Sequence, residues 1–402
     1  MTALRVFVPF ALGYFLSYLL RVVNAVIAPD LVSDLGLTAA DLGLLTSASF
    51  FAFALAQLPL GILLDRYGPR RMEAGLLVFA GLGAFIFATA DGVPGLIAGR
   101  ALIGLGTSAC LMAAIKAYVM WFPISRLPLI NGLHMAAGGL GAITGTVPVE
   151  AALGVTDWRG LFFVFGGLAL AMSVLVFAAV PKRDGAETST ETLGDQLAGL
   201  RQILTSPLFW RIAPMTVASQ SMFLGTQSLW SGPWLSDVAG LQRDAVADHL
   251  LLIGIAMVAG FLGMGAIAER LGRIGVKTTH VAFFGMALFW VVQIPMALQW
   301  TGAVLPMWMA FGFFGTCGIL SYAALPRNFA PALSGRVITG LNVFTFMGAF
   351  AVQWGMGIII NLWPVTASGS YAPEGYQAAF WVMFAIQAAG LSWFWIYRKA
   401  PV

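Results

Sequence analysis

Three ionisable side chains stand inside long apolar runs of this 402-residue chain: Arg21, Lys116 and His134. Arg21 lies in Tyr18-Leu19-Leu20-Arg21-Val22-Val23-Asn24, and no acidic residue falls within eight positions of it. Lys116 lies in Ala113-Ala114-Ile115-Lys116-Ala117-Tyr118, and His134 in Asn131-Gly132-Leu133-His134-Met135. Arginine offers a planar fork of donors that fits a carboxylate or phosphate, and lysine offers a point charge. Histidine takes up and releases protons near neutral pH. These groups suit anion binding and proton exchange rather than covalent chemistry. His134, His249 and His280 are scattered, and Cys110 and Cys317 sit in separate apolar segments as inert buried thiols. No nucleophile–base arrangement, metal-ligand spacing or phosphate loop stands out, so no enzyme activity, cofactor or metal is expected.

The elements that must hold these groups follow from composition. The chain is 59% hydrophobic and 9% charged, with mean hydropathy +0.88, whereas a soluble domain carries about 25% charged residues. It belongs in a bilayer, where runs of about twenty apolar residues cross as helices. Twelve spans are predicted, near 5–28, 41–64, 73–90, 95–121, 128–152, 159–180, 208–235, 246–268, 278–298, 302–325, 337–362 and 376–397. The first is too long for a signal-peptide core and reads as a span. Of 21 Lys and Arg residues, 16 fall on one side, among them Arg183, Arg398 and Lys399, while Arg100, Arg159 and Arg243 fall on the other. By the positive-inside rule both termini are cytoplasmic. This sidedness also accounts for the pI near 9.2, so a nucleic-acid partner is not expected. The partners expected are the lipid bilayer and a small molecule, with the chain a monomer in a plasma membrane, the bacterial inner membrane.

The polar segment 181–207 divides the chain into halves, 1–180 and 208–402. Its first part reads as a flexible linker, and Leu193–Leu204 has the spacing of a surface helix. The halves repeat. Gly61, Asp65, Arg66 and Gly68 follow span two, and Gly265, Glu269, Arg270 and Gly272 follow span eight at an offset of 204. The expected fold is therefore an all-α integral membrane protein of twelve helices in two pseudo-symmetric six-helix bundles. Such internal repeats describe an alternating-access carrier with its site near mid-membrane.

The stretch Gly61-Ile62-Leu63-Leu64-Asp65-Arg66-Tyr67-Gly68-Pro69-Arg70-Arg71 resembles the signature loop of the major facilitator superfamily. Gly99-Arg100 with Gly104 and Gly106 resembles its fourth-span arginine motif, Asp157-Trp158-Arg159 the start of its sixth span, and Gly375-Tyr376 the start of its twelfth. The resemblance implies secondary transport. It also implies a conformational latch built from Asp65, Arg66, Gly68, Arg70, Arg71, Glu269 and Arg270, with Arg100 in a structural or gating role near an interface, where it can snorkel. Within the family, Tyr18, Arg21, Asn24 and Pro29 are similar to the first-span motif of the anion:cation symporters, the sialin and sugar-acid carrier group, and Lys116 precedes Pro123 where those carriers also place a basic residue. That resemblance implies that Arg21 holds a substrate carboxylate. Leu20, and Ser108 or Ala109, stand where that group has its proton-coupling acids, so its coupling mechanism does not carry over. Gly145-Thr146-Val147-Pro148 lacks the Gly-Pro pair of the antiporters, and small residues crowding span five read as a helix interface instead.

Taken together, the acids nearest the spans sit at their ends, Asp30, Asp91, Glu150 and Asp237. The substrate is then the expected counter-charge of Arg21 and Lys116. Tyr18 and Asn24 complete the first-half site. The second half offers Gln220, Gln227, Trp230, Tyr322, Asn342 and Gln353, with Trp230 and Trp234 also suited to an interfacial belt. His134, at a similar depth to Lys116, is the proton-coupling candidate, and a counter-anion or facilitated diffusion would serve without it. The expected function is transport of a small organic anion, secondary active or facilitative. Efflux of amphipathic compounds, carriage of phosphate esters or small peptides, and a non-transporting membrane sensor are the alternatives.

Overall fold

A helix satisfies its own backbone N–H and C=O groups, which is why apolar runs in lipid take that form. The computed structural model describes residues 2–182, 193–330, 333–367 and 369–397, and every regular element among them is helical. Residues 183–192 of the expected linker, with Arg183, lie outside the described residues, as do Arg398 and Lys399. The chain forms two compact units, Met1–Gly36 with Leu45–Leu193, and Leu37–Leu44 with Gly194–Val402.

In the first unit, α1 (Thr2–Val22) and α2 (Asn24–Leu35) make up span one and are interrupted at Val23. Helix α3 (Ala39–Thr89) is 51 residues long and holds spans two and three. They join at Gly68, whose φ of 75° and ψ of 159° are open to glycine and strained for other residues. Span four is α4 (Val93–Thr107) and α5 (Cys110–Trp121), span five is α6 (Leu127–Thr144) and α7 (Val147–Leu153), and span six is α8 (Trp158–Ala179). The small residues of span five do form a helix interface. A side chain at Gly141 would strike the Phe15 carbonyl of α1, so only glycine lets the two backbones approach this closely.

In the second unit, α9 (Leu193–Leu204) is the helix read from spacing, and it precedes α10 (Pro207–Gly225). A π-helical turn, Thr226–Trp230, links α10 to α11 (Ser231–Asp237) within span seven. Next come α12 (Arg243–Arg273), α13 (Thr278–Val292), α14 (Ile294–Ala297), α15 (Val304–Gly315), α16 (Ile319–Ala324), α17 (Ser334–Ile360) and α18 (Pro373–Ile396). Among the described residues, nine helices are long and apolar enough to cross a membrane. Because α3 crosses twice, and the broken fifth and seventh spans also cross, the fold has twelve crossings.

One charged side chain secures the interruption in span one. Arg100 of α4 is fully buried. Its Nη1 donates to the Leu20 carbonyl at 3.0 Å, its Nη2 donates to Asn24 Oδ1, and its guanidinium stacks over the Phe87 and Phe162 rings at 4.6 and 4.9 Å. Asn24 Nδ2 in turn donates to the Arg21 carbonyl at 3.4 Å. Of the two readings of Arg100, snorkelling to an interface is ruled out, because a helix-break carbonyl and an amide give its charge partners inside the bundle. Arg100→Leu should lower stability by about 1–3 kcal/mol, since it strands Asn24 Oδ1 and the Leu20 carbonyl. Adding Asn24→Leu should recover part of that loss. Thermal unfolding of the purified variants checks both, and an unchanged midpoint for Arg100→Leu would show that the contact contributes nothing.

Candidate functional site

The first unit places Arg21 one residue before the end of α1, half-buried. Its guanidinium lies 4.7 Å from the centre of the Tyr18 ring and 5.7 Å from that of Phe53. Tyr18 continues into Tyr14 by an edge-to-face contact at 5.0 Å. Aromatic faces attract a cation through their ring electrons, so this corner frames a planar donor group with Tyr18 and Phe53. Tyr18 and Arg21 thus come together. Asn24 is instead turned to Arg100.

Lys116 has a partner that its own span does not reveal. Its Nζ forms an ion pair with Asp65 and donates to the Leu64 carbonyl at 2.9 Å. The side chains are 26% and 35% exposed. The expectation of a lysine without a nearby acid is therefore corrected, because the end of span two packs beside α5 and brings the signature-loop aspartate to it. The remaining loop residues behave differently from one another. Arg70 donates through Nε to the Phe177 carbonyl at 2.8 Å and lies over the Phe177 ring at 4.5 Å, which ties the loop to the end of span six. Arg66 lies 5.4 Å from the Tyr67 ring, and Arg71 is exposed. In the second unit Glu269 pairs with Arg273 one turn on at 2.7 Å, and Arg270 is exposed.

His134 is fully buried. Its Nδ1 is 3.0 Å from the Tyr118 hydroxyl, and its ring stacks on Tyr14 at 4.4 Å. Beside this group stands Glu73, a residue that sequence reasoning passed over. Its side chain is fully buried and neither carboxyl oxygen has a hydrogen-bond partner. Following Arg70-Arg71-Met72, it reads as the tail of a charged loop. The available signal was its place at the start of the apolar run 74–88. The acids read from the sequence, Asp30, Asp91, Glu150 and Asp237, therefore omit Glu73, which opens the predicted span 73–90 and which α3 carries into the bundle.

The second-unit candidates divide into separate groups. The Trp230 indole donates to the Gln353 carbonyl at 2.9 Å, and Gln353 Nε2 donates to Ser228 Oγ at 3.1 Å and the Gly225 carbonyl at 3.3 Å. With buried Gln227, they surround the π-helical turn, and Gln353 Oε1 is buried without a partner. Such turns often mark functional positions in a helix. Gln220 instead donates to the Gly315 carbonyl at 2.7 Å, the Tyr322 hydroxyl to Thr345 Oγ1 at 3.0 Å, and Asn342 is half-buried. Trp230 and Trp234 are fully buried, with Trp234 5.5 Å from Trp308, so they pack the unit and do not form an interfacial belt. An apolar cavity of about 590 Å³ between α10, α17 and α18 is lined by none of these candidates. Among the described residues no cluster of His, Cys, Asp and Glu could hold a metal.

Residues 10–352 match the Major Facilitator Superfamily. A probable sulfoacetate transporter of Cupriavidus necator is 25% identical over 354 residues, spanning 83% of this chain and 82% of that protein. A probable L-galactonate transporter of Escherichia coli K12 is 27% identical over 377 residues, 82% of each. A bacterial homologue of the human lysosomal transporter Spinster superposes with a TM-score of 0.78 at 14% identity, over 97% of this chain and 96% of that one. A D-xylose–proton symporter superposes with a TM-score of 0.75 at 15% identity, over 98% of each. These two structures share the fold.

The Lys116–Asp65 pair is partly exposed, so its coupling should be modest. A double-mutant cycle with Lys116→Met and Asp65→Asn should return about 1 kcal/mol of interaction energy by thermal unfolding. Strict additivity of the two variants would show that the pair is not energetically coupled.

Proposed function

The chain belongs to the Major Facilitator Superfamily, and from that membership we propose that it carries a small organic anion, a carboxylate, across the membrane by alternating access. It is a multi-pass membrane protein of a transporter family, not an enzyme family. The observation that carries the reading is Arg21, a half-buried guanidinium set between the Tyr18 and Phe53 rings on span one. Its fork can grip both oxygens of a carboxylate, and the surrounding apolar wall strengthens that attraction. The names of the relatives agree with this chemistry: sulfoacetate, L-galactonate and hexuronate are all acids.

In this proposal Arg21 is the principal anion contact. Lys116 adds attraction only in a state that breaks its pair with Asp65, so the lysine links cargo to the signature loop. Gln227, Trp230 and Gln353 of the second unit supply amide and indole groups suited to hydroxyls of the cargo. The Lys and Arg distribution supports cytoplasmic termini, and the plasma membrane, the bacterial inner membrane, is the proposed location.

The test is uptake into proteoliposomes of labelled galactonate, sulfoacetate and a phosphate ester. Wild type should carry one of the carboxylates. Arg21→Gln should lower that uptake about 10–100-fold, the loss of a charge-assisted hydrogen bond, and Arg21→Lys should restore it in part. Correctly folded Arg21→Gln that transports as well as wild type would defeat the reading. Preference for the phosphate ester would reassign the substrate class.

A further inference from the structure

Glu73 is left unexplained by anion binding. A carboxylate buried without a donor is strongly penalised, and a structural polar group in such a place normally has its hydrogen bonds satisfied. Glu73 has none, though its setting is closely fitted. Its Oε1 lies against Gly13 of α1, where any side chain would collide with it, and Leu77 of its own helix stands at the same place. Span four brings two titratable groups within electrostatic reach, Cys110 and Tyr118 of α5. Helix α1 contributes Tyr14, next to Gly13, and α6 contributes His134, stacked on Tyr14 and hydrogen-bonded to Tyr118. On span six, Ser173 donates to the Ala74 carbonyl at 2.6 Å. The full charges on these packed elements are engaged elsewhere. Arg21 of α1 lies over Tyr18 and Phe53, and Lys116 of α5 pairs with Asp65.

We propose that Glu73 is the proton-binding group of this transporter, so that a proton bound there travels with the anion held by Arg21. The inference rests on the anion-transport reading for its cargo, while the site itself rests on Glu73 alone. Protonation removes the charge that the buried position disfavours, and deprotonation follows when motion of α1 against α5 admits water. Arg21 lies eight residues beyond Gly13, about 12 Å along the helix axis. Arg21 and Glu73 share a neighbour, because each interacts electrostatically with Cys110. In this proposal an anion at Arg21 and a proton on Glu73 favour one another, with Cys110 as the group on which both residues act. Such linkage is reciprocal. Proton and monoanion then cross as a neutral pair. Tyr118, near Glu73 and bonded to His134, joins the histidine to the same titrating cluster, with Glu73 as the group that holds the proton.

Two measurements on the reconstituted full chain test this. Difference infrared spectroscopy between about pH 5 and about pH 9 should show a titrating protonated-carboxyl band in wild type, absent in Glu73→Gln and shifted in Glu73→Asp. The same band in Glu73→Gln, or no titrating carboxyl in wild type, overturns the proposal. With labelled galactonate as probe, the ratio of pH-gradient-driven accumulation to counterflow should fall at least about tenfold in Glu73→Gln, because counterflow needs no net proton movement. An unchanged ratio also overturns it. If wild type carries no acid at all, the anion reading fails by itself, and the infrared band alone decides for or against Glu73.

Discussion

A polar group drawn into a bilayer has no water in reserve, so it must find a protein partner, shed its charge or face a cavity. The first unit shows different answers to that constraint. Arg100 finds partners, an amide, a backbone carbonyl and two phenyl faces, and in doing so holds span one where its helix is interrupted. Lys116 finds an acid on the neighbouring span. Arg21 stays half-buried between aromatic rings, and Glu73 is enclosed without a donor. These answers differ among four charged residues whose settings the sequence alone does not distinguish. Arg100 and Lys116 hold the bundle through these contacts, and Arg21 and Glu73 are the groups proposed to serve cargo and proton.

The two halves repeat in sequence without repeating in chemistry. Asp65 reaches across to Lys116, whereas its counterpart Glu269 pairs with Arg273 on its own helix. Arg70 caps the end of span six through the Phe177 carbonyl. The first unit therefore concentrates ionisable groups, while the second concentrates amides and indoles around a π-helical turn. The proposed carriage of a polar anion has use for both. Charge supplies attraction, and neutral donors and acceptors discriminate among hydroxylated cargoes with less desolvation cost.

Much of the fold was legible because its signals are local. Hydropathy over some twenty residues defines a span, and the Gly61–Gly68 and Gly265–Gly272 loops reveal the repeat by their offset. Arg21 with Tyr18 was legible for the same reason, since three residues on a helix place them side by side. The contact of Asn24 with Arg100 is not legible in the same way, because the two residues lie 76 positions apart. Trp230 and Trp234 looked like belt residues from their place near a span end, but burial depends on what packs over them.

By itself, the sequence determined the membrane environment, the twelve crossings, the two-fold repeat and the presence of cations within the first unit. Those properties are sums over neighbouring residues, and a helix in lipid leaves them little freedom. Tertiary structure alone decided which charges are compensated. The partners of Lys116 and Arg100, and the glycine that makes room for Glu73, come from other spans and depend on how closely those helices approach. A carboxyl after a basic loop is unremarkable as sequence. Packed against Gly13 with neither oxygen hydrogen-bonded, it is set apart only by the approach of another helix.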